Sequence, residues 1–264
     1  MRRVVIIGTA LAVLVGATAA YAAFSNQYGG TKVFWSPKKA GSSAKPIPVG
    51  MTEVLKAGST TNGNRAAPLT DIKTTSYGIR LNGAKLPVCT DAMIEANKTL
   101  YDKACPKGSM IASGPVNALL GPASDPSQSK GTPCNPLLHV YNGGPKTQVF
   151  FFTTDAQHQC GGLPTGATAP YDGHISYKGK TLVVDVPLPP TVSTKVANIP
   201  NEYGSLIGET LTFPIASKDA KGKTLHYSNA VACKKHKRAW SVQYTAQTYN
   251  GGSETQTVKG SDKC

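Results

Sequence analysis

The sequence lacks the short motifs that mark several large enzyme classes. It contains no P-loop and no His-Glu-x-x-His, so neither P-loop nucleotide hydrolysis nor zincin peptidase chemistry is predicted. The closest approach to a nucleophile elbow, Gly-Ser-Leu-Ile-Gly at 204–208, has its serine one position too early. These absences favour a protein that is not an enzyme and that needs no cofactor.

Histidine is also scarce, and the five histidines show no paired-ligand spacing. His139, His158 and His174 straddle neighbouring predicted strands, so a fold could still gather them. Separate surface or half-buried histidines are the simpler interpretation. We therefore predict no metal site.

Acidic residues are few. The chain has 14 Asp and Glu against 28 Lys and Arg, a formal net charge of +14 in 264 residues. Such an excess attracts polyanions, including anionic cell-wall polymers, acidic lipid headgroups and nucleic acid. The lysines are spread along the whole chain, so solubility alone is an alternative explanation of the charge.

The densest charge is a basic run of five residues: Lys234, Lys235, His236, Lys237 and Arg238. The run follows Cys233 directly, and a disulfide there would hold it rigid for phosphate, sulfate or uronate groups. No aromatic residue interrupts the run, as base stacking would require, so specific nucleic-acid binding is not predicted. The alternative is a solvated strand end. The basic run is the candidate polyanion-binding site.

Long apolar runs are confined to the first residues. Arg2 and Arg3 precede an apolar stretch at 4–15, and Ala20-Tyr21-Ala22 supplies the small residues of a cleavage site. This pattern predicts a signal peptide at 1–22 and an exported chain at 23–264. A transmembrane anchor is the competing interpretation, but it requires a longer apolar run and a basic stop-transfer flank. We therefore expect a secreted or envelope-associated protein without an anchor.

Six cysteines in an exported chain predict three disulfides. The cysteines are Cys89, Cys105, Cys134, Cys160, Cys233 and Cys264. Spacing alone permits 15 connectivities. We favour sequential pairing because each pair then brackets one local unit: a helical segment, a hairpin and the last hairpin. Free thiols or zinc ligands are the alternative.

Turn signals recur every 8 to 12 residues, and the segments between them are short and rich in strand-forming residues. This rhythm predicts an all-β fold, an antiparallel β-sandwich of the immunoglobulin-like or jelly-roll-like kind. One short helix is expected near 90–103, with Thr90 as its N-cap. The stretch at 121–133 is rich in Gly, Pro and Ser, so it is a candidate subdivision of the domain.

Two segments predict how strands are buried. Residues 149–152, Val-Phe-Phe-Phe, are apolar on both faces, which predicts a central strand covered on both sides. In 239–249, Trp240, Val242 and Tyr244 alternate with polar residues, which predicts a strand with one buried face. The turn at 250–252 would pair this strand with 254–258 as a hairpin.

The spacing of several motifs resembles a class of exported, disulfide-containing β-sandwich proteins of actinomycete-type bacteria. The residues that carry the likeness are Leu86-Pro87-Val88-Cys89, Ala104-Cys105-Pro106-Lys107-Gly108-Ser109 leading to Gly114, Cys233, Trp240, Asn250-Gly251-Gly252 and Cys264. The likeness spans most of 30–264, but these motifs are structural. The resemblance implies a secreted β-sandwich and transfers no catalytic residue.

Three functions remain open. The leading hypothesis is a non-catalytic binding or structural protein that contacts anionic cell-wall polymers. The second is a glycan hydrolase that uses two carboxylates on a concave face, among Asp155, Asp172 and Asp185. The third is a carrier of a small ligand or lipid, which requires an unfilled apolar cavity beneath the strand at 149–152.

Overall fold

The computed structural model describes residues 24–96, 105–163 and 165–264. The predicted leader, 1–22, lies outside these residues. Across the described ranges the chain is mostly β, with a large antiparallel sheet, a single short α-helix and three disulfides, as the sequence predicted. Within the same ranges, no helix has the length and apolar character needed to cross a membrane.

The described residues form one α-helix, α1 (Asp91–Ala96), and nineteen strands. The strands are β1 (Asn26–Gln27), β2 (Lys32–Ser36), β3 (Ile47–Lys56), β4 (Gly58–Ser59), β5 (Leu69–Tyr77), β6 (Ile79–Leu81), β7 (Met110–Pro122), β8 (Thr132–Cys134), β9 (Leu137–Gly144), β10 (Thr147–Thr154), β11 (Gly166–Ala167), β12 (Tyr171–Lys178), β13 (Thr181–Pro187), β14 (Glu202–Phe213), β15 (Ser217–Lys218), β16 (Thr224–Leu225), β17 (Ser228–Ala230), β18 (Lys237–Gln247) and β19 (Ser253–Lys263).

Most strands belong to one antiparallel sheet that curls back on itself. Its order is β19-β18-β5-β13-β12-β10-β9-β7-β14-β3-β17-β6, and β2 pairs with β3. The last strand, β6, follows the third strand, β5, after the single residue Gly78. Gly78 has a φ of 72°, and a Cβ there would collide with the carbonyl of Ala232. Glycine therefore lets one chain segment join the third strand of the order to the last, which closes the curl of the sheet.

The two halves of the curled sheet face each other across an apolar interior, the two-layer arrangement of a sandwich. One core cluster joins β2, β3, β5 and β18 and includes Val33, Leu55, Val242 and Tyr244. A second joins β7, β9, β10 and β14 and includes Val140, Phe150 and Leu211. The strands before and after 121–133 belong to this same sheet.

Helix α1 covers the outer face of β9 and β10. The Thr90 hydroxyl accepts a hydrogen bond from the amide of Met93 at 3.3 Å, which confirms the predicted N-cap. Val149 and Phe151 pack against Ile94 on this outer side. Phe150 lies in the interior, so β10 is covered on both faces as predicted. The predicted continuation of the helix over 97–103 lies outside the described residues.

The three disulfides confirm the sequential pairing. Cys89 is bonded to Cys105, Cys134 to Cys160, and Cys233 to Cys264. The last pair closes the β18–β19 hairpin, whose full ladder runs from Lys237↔Lys263 to Gln247↔Ser253. Within it, Trp240, Val242 and Tyr244 are buried, which confirms the predicted apolar face.

Candidate functional site

The interior between the two halves of the sheet is not filled. It contains a cavity of about 460 Å³, where native interiors are normally close-packed. This volume lies within the range of small-molecule binding sites, roughly 300–1,000 Å³. Among the sequence hypotheses, a carrier required such a cavity beneath the strand at 149–152. Phe150 and Phe152 of that strand line the cavity.

Most of the cavity wall is apolar. Strands β9, β10, β12, β13 and β14 each contribute inward side chains, among them Leu138, Phe150, Tyr171, Val184 and Leu211. Alternation along each strand places every second residue on this face. The rings of Phe150 and Tyr171 stack with their centroids 5.6 Å apart. The wall is therefore suited to a hydrocarbon or aromatic body.

Two carboxyl groups line the same cavity: Glu53 on β3 and Glu209 on β14. The strands are antiparallel neighbours, with Glu209 opposite Leu55 and Glu53 opposite Leu211. The two glutamates are thus diagonal neighbours on one face, a relation with Cα atoms about 7–8 Å apart. The register brings two acids together in an apolar surrounding.

Burial perturbs both acids. Glu53 is 7% exposed, and removal from water raises its pKa from 4.5 to about 7, although a hydrogen bond from Thr74 opposes the change. Glu209 is half-buried and lines the cavity. Desolvation raises the pKa of Glu209 to about 8, and the Glu53 charge adds to the increase. Glu53 therefore loses its proton near pH 7 and Glu209 near pH 8, well above the usual range of a carboxyl group.

The Thr74 hydroxyl donates to Glu53 Oε1 over 2.9 Å. Thr74 lies on β5, which does not pair with β3, so this bond crosses between the two halves of the sheet. Two residues further along β5, Ser76 is 1% exposed and lines the cavity, and its hydroxyl has no hydrogen-bond partner within the described structure. The indole Nε1 of Trp35, which also lines the cavity, is likewise unpaired there. Buried polar atoms without partners are uncommon in proteins.

No Lys, Arg or His is among the described residues that line the cavity. The polar groups at its wall are acids, hydroxyls, amides and one indole. In a chain with a net charge of +14, this interior is a local region where only acidic groups can carry charge. A ligand that supplies a hydrogen-bond donor or a positive charge would complement it.

At one end the lining consists of loops rather than long strands. Leu163 with 165–169 contributes one side, and 191–192 with 196–198 contributes the other. The Cys134–Cys160 disulfide also lines this end and ties the 155–160 loop to β8. The second disulfide thus positions part of the cavity wall.

The basic run lies on the surface at the entry to β18. Lys234 and Lys237 exchange backbone hydrogen bonds of 3.1 and 3.0 Å, and Lys235 and His236 have positive φ angles of 50° and 57°. These angles define a tight two-residue turn of type I′. Residues 234–237 are exposed, so the turn presents three lysines and a histidine to solvent.

Arg238 does not share that exposure. It is 0% exposed, and its guanidinium carbon lies 6.0 Å from the centre of the Trp35 ring. Desolvation lowers the pKa of its guanidinium group, and the Asp262 carboxylate opposes the change. The strand's alternation turns this residue inward, so the predicted surface site is reduced to 234–237.

The acids of the hydrolase hypothesis are dispersed. On β12 and β13, Tyr171 and Val184 line the cavity, so their neighbours Asp172 and Asp185 point to the outer face. Asp185 forms a salt bridge of 2.9 Å with Lys73. Asp155 accepts hydrogen bonds from the amides of its own turn, including that of His158 at 2.7 Å. The hydrolase hypothesis requires two carboxylates on a concave face, whereas Asp172 and Asp185 lie on the outer face of the sheet.

The histidines are also separate. His139 stacks on Phe151 with centroids 5.1 Å apart, and His158 bonds to Asp155. Across the described ranges, no group of three or more His, Cys, Asp or Glu is placed to hold a metal ion.

Sequence reasoning missed Glu53 and Glu209. The available signal was an acid at the inward position of an alternating strand, between Met51 and Leu55. That signal could be interpreted only after the inward face of β3 was known.

The chain matches no protein-family model, and neither the curated proteins nor the solved structures contain a significant match to it.

Proposed function

We propose that this chain is an exported, non-catalytic binding protein that holds a small, mostly apolar ligand inside its sheet. The observation that carries the proposal is the cavity of about 460 Å³ with its apolar wall. Ser76 and Trp35, which belong to the same wall, each have a buried polar atom without a hydrogen-bond partner in the described structure, which is uncommon in a fully packed interior. Three disulfides and the predicted signal peptide support an extracellular or envelope setting.

A binding assay with an uncharged fluorescent probe tests this function. N-phenyl-1-naphthylamine is expected to bind the delipidated protein saturably, with an increase in emission as the ring enters the cavity. In V184W the larger side chain fills cavity space, so we expect probe affinity to fall at least tenfold. S176W is the matched control, because Ser176 lies on the neighbouring strand β12 and is exposed at the surface.

Each variant is first checked by circular dichroism for an unchanged fold. The proposal is abandoned if the wild type does not bind the probe. It is also abandoned if folded V184W binds as tightly as the wild type. Mass spectrometry of an organic extract of the purified protein gives a further readout, since a bound natural ligand would appear there.

A second function is favoured by the surface around the basic run. Lys237 lies directly opposite Lys263 in the β18–β19 ladder, and Lys259 is on the same exposed face. Lys234, Lys237 and Lys259 border one shallow depression on the surface. Like charges placed directly opposite each other are destabilising, and a bound anion would relieve their repulsion. We therefore propose that this surface contacts anionic cell-wall polymers.

Retention on cell-wall fractions tests the second function. The triple variant K234S/K235S/K237S is expected to lose retention at low salt and to show a shallower dependence on salt. The matched control is K218S/K221S/K223S, which removes three exposed lysines from the β15–β16 hairpin. Equal losses in the two variants would show that only net charge matters, and the local site would be rejected.

A further inference from the structure

We propose that the ligand of the cavity is an amphiphilic organic cation, an apolar body with one amine, whose ammonium group lies between Glu53 and Glu209. This inference rests on the proposed function and names the chemical class of its ligand. It starts from the placement of two acids on adjacent strands, on the face that lines an otherwise apolar cavity.

The acids lack a cationic partner within the described structure. Buried carboxyl groups are usually paired with a cation or satisfied by several hydrogen bonds. For Glu53 the hydrogen bond from Thr74 is the only one described. Arg238 lies behind the Trp35 ring near Asp262 and does not line the cavity. Since no described Lys, Arg or His pairs with the two acids, a ligand can supply the cation.

The groups around the acids match an ammonium. An alkylammonium has three N–H donors, and the two carboxylates at the wall offer four acceptor oxygens, one of which already accepts the hydrogen bond from Thr74. Trp35 adds an aromatic ring at the wall, which also attracts a cation. The remaining wall is apolar and would bury the body of the ligand.

Among the described residues, the other titratable groups that interact with the acids or share the cavity wall with them are tyrosines. Tyr171 and Tyr244 lie on β12 and β18, and Tyr227 lies beside Gln148, which donates to its hydroxyl over 3.1 Å. Burial raises the pKa of all three, so they stay neutral between pH 5 and 9. A change in binding across this range therefore reports on Glu53 and Glu209.

Displacement of the fluorescent probe by decylamine and by decanol tests the inference. Both have the same ten-carbon body, and decylamine stays cationic from pH 6 to 8.5. As the two acids ionise near pH 7 and 8, decylamine affinity should rise at least tenfold between pH 6 and 8.5. Decanol affinity should change by less than threefold. Decanoate should bind more weakly than decanol at pH 8.5, because its charge is repelled.

Variants assign the effect to the acids. E53Q/E209Q should bind decanol like the wild type but lose the preference for decylamine and its pH dependence. E95Q is the control, because Glu95 is exposed on α1. In the wild type alone, calorimetry at pH 7 in buffers of different ionisation enthalpy should detect proton release on amine binding and none with decanol.

The outcomes separate the two proposals. If decanol binds and decylamine gains nothing at pH 8.5, the cationic class is wrong and the apolar-ligand function stands. Absence of proton release with decylamine leads to the same conclusion even if the variants do not fold. If neither compound displaces the probe and the probe itself does not bind, both proposals fail.

Discussion

Replacement of Glu53 by Gln is expected to stabilise the ligand-free protein at alkaline pH. The folded state raises the pKa of Glu53 from 4.5 to about 7 because burial disfavours its charged form. Between these two values the folded protein holds a proton that the unfolded chain has already released. The free energy of unfolding must therefore fall as the pH rises through this window, and the loss is complete above pH 7. Gln has nearly the same shape and carries no charge.

The magnitude follows from the two pKa values. At about 1.4 kcal/mol per pKa unit, ionisation of Glu53 costs the folded state about 3 to 4 kcal/mol. Below pH 5 the neutral acid and the amide should differ by less than about 1 kcal/mol, because either can accept the hydrogen bond from Thr74. The advantage of E53Q over the wild type should therefore grow from near zero at pH 5 to about 3 to 4 kcal/mol at pH 8.5.

Urea unfolding of the oxidised protein, followed by tryptophan fluorescence at several pH values, measures this difference. Urea is uncharged, so it does not screen the electrostatic effect under study. E95Q removes an exposed acid of the same type and should give a curve parallel to that of the wild type. If E53Q and the wild type differ by the same amount at pH 5 and pH 8.5, Glu53 is not desolvated in the folded protein and the reasoning is refuted.

Three further predictions concern the framework, and each is checked by urea unfolding of the folded variant. C233S/C264S should lower the free energy of unfolding by about 3 to 4 kcal/mol, because it releases a loop of 31 residues in the unfolded chain; a change below 1 kcal/mol would contradict this. G114A should be severely destabilised or fail to fold, because its Cβ would collide with a backbone carbonyl of β14. G29A is the control: there is open space around this position, so its free energy of unfolding should stay within about 0.5 kcal/mol of that of the wild type. F151A should lower the free energy of unfolding by about 3–5 kcal/mol, because it removes a fully buried ring that packs beneath α1. A decrease under 1 kcal/mol would show that α1 does not exclude water from this face of the sheet.

Local patterns in the sequence were sufficient for the framework. The alternation around Trp240, the apolar residues on both faces of 149–152 and the Thr90 cap each depend on near neighbours, and the structure confirms all three. Sequential pairing of the cysteines was also predictable, because each cysteine bonds to the next one along the chain, 16 to 31 residues away.

The candidate site depended on contacts between distant parts of the chain. Strand β3 pairs with β14, and the side of each strand that faces inward follows from how the whole sheet curls. A shift of one residue in that register would place Glu53 and Glu209 on opposite faces of the sheet, so that only one of them would face the cavity. The same long-range arrangement buries Arg238 and turns Asp172 to the outside. The sequence by itself thus determined the strands and the cysteine pairs, because their causes are local. Only the tertiary structure decided which side chains share the cavity, because register and curvature are properties of the complete sheet.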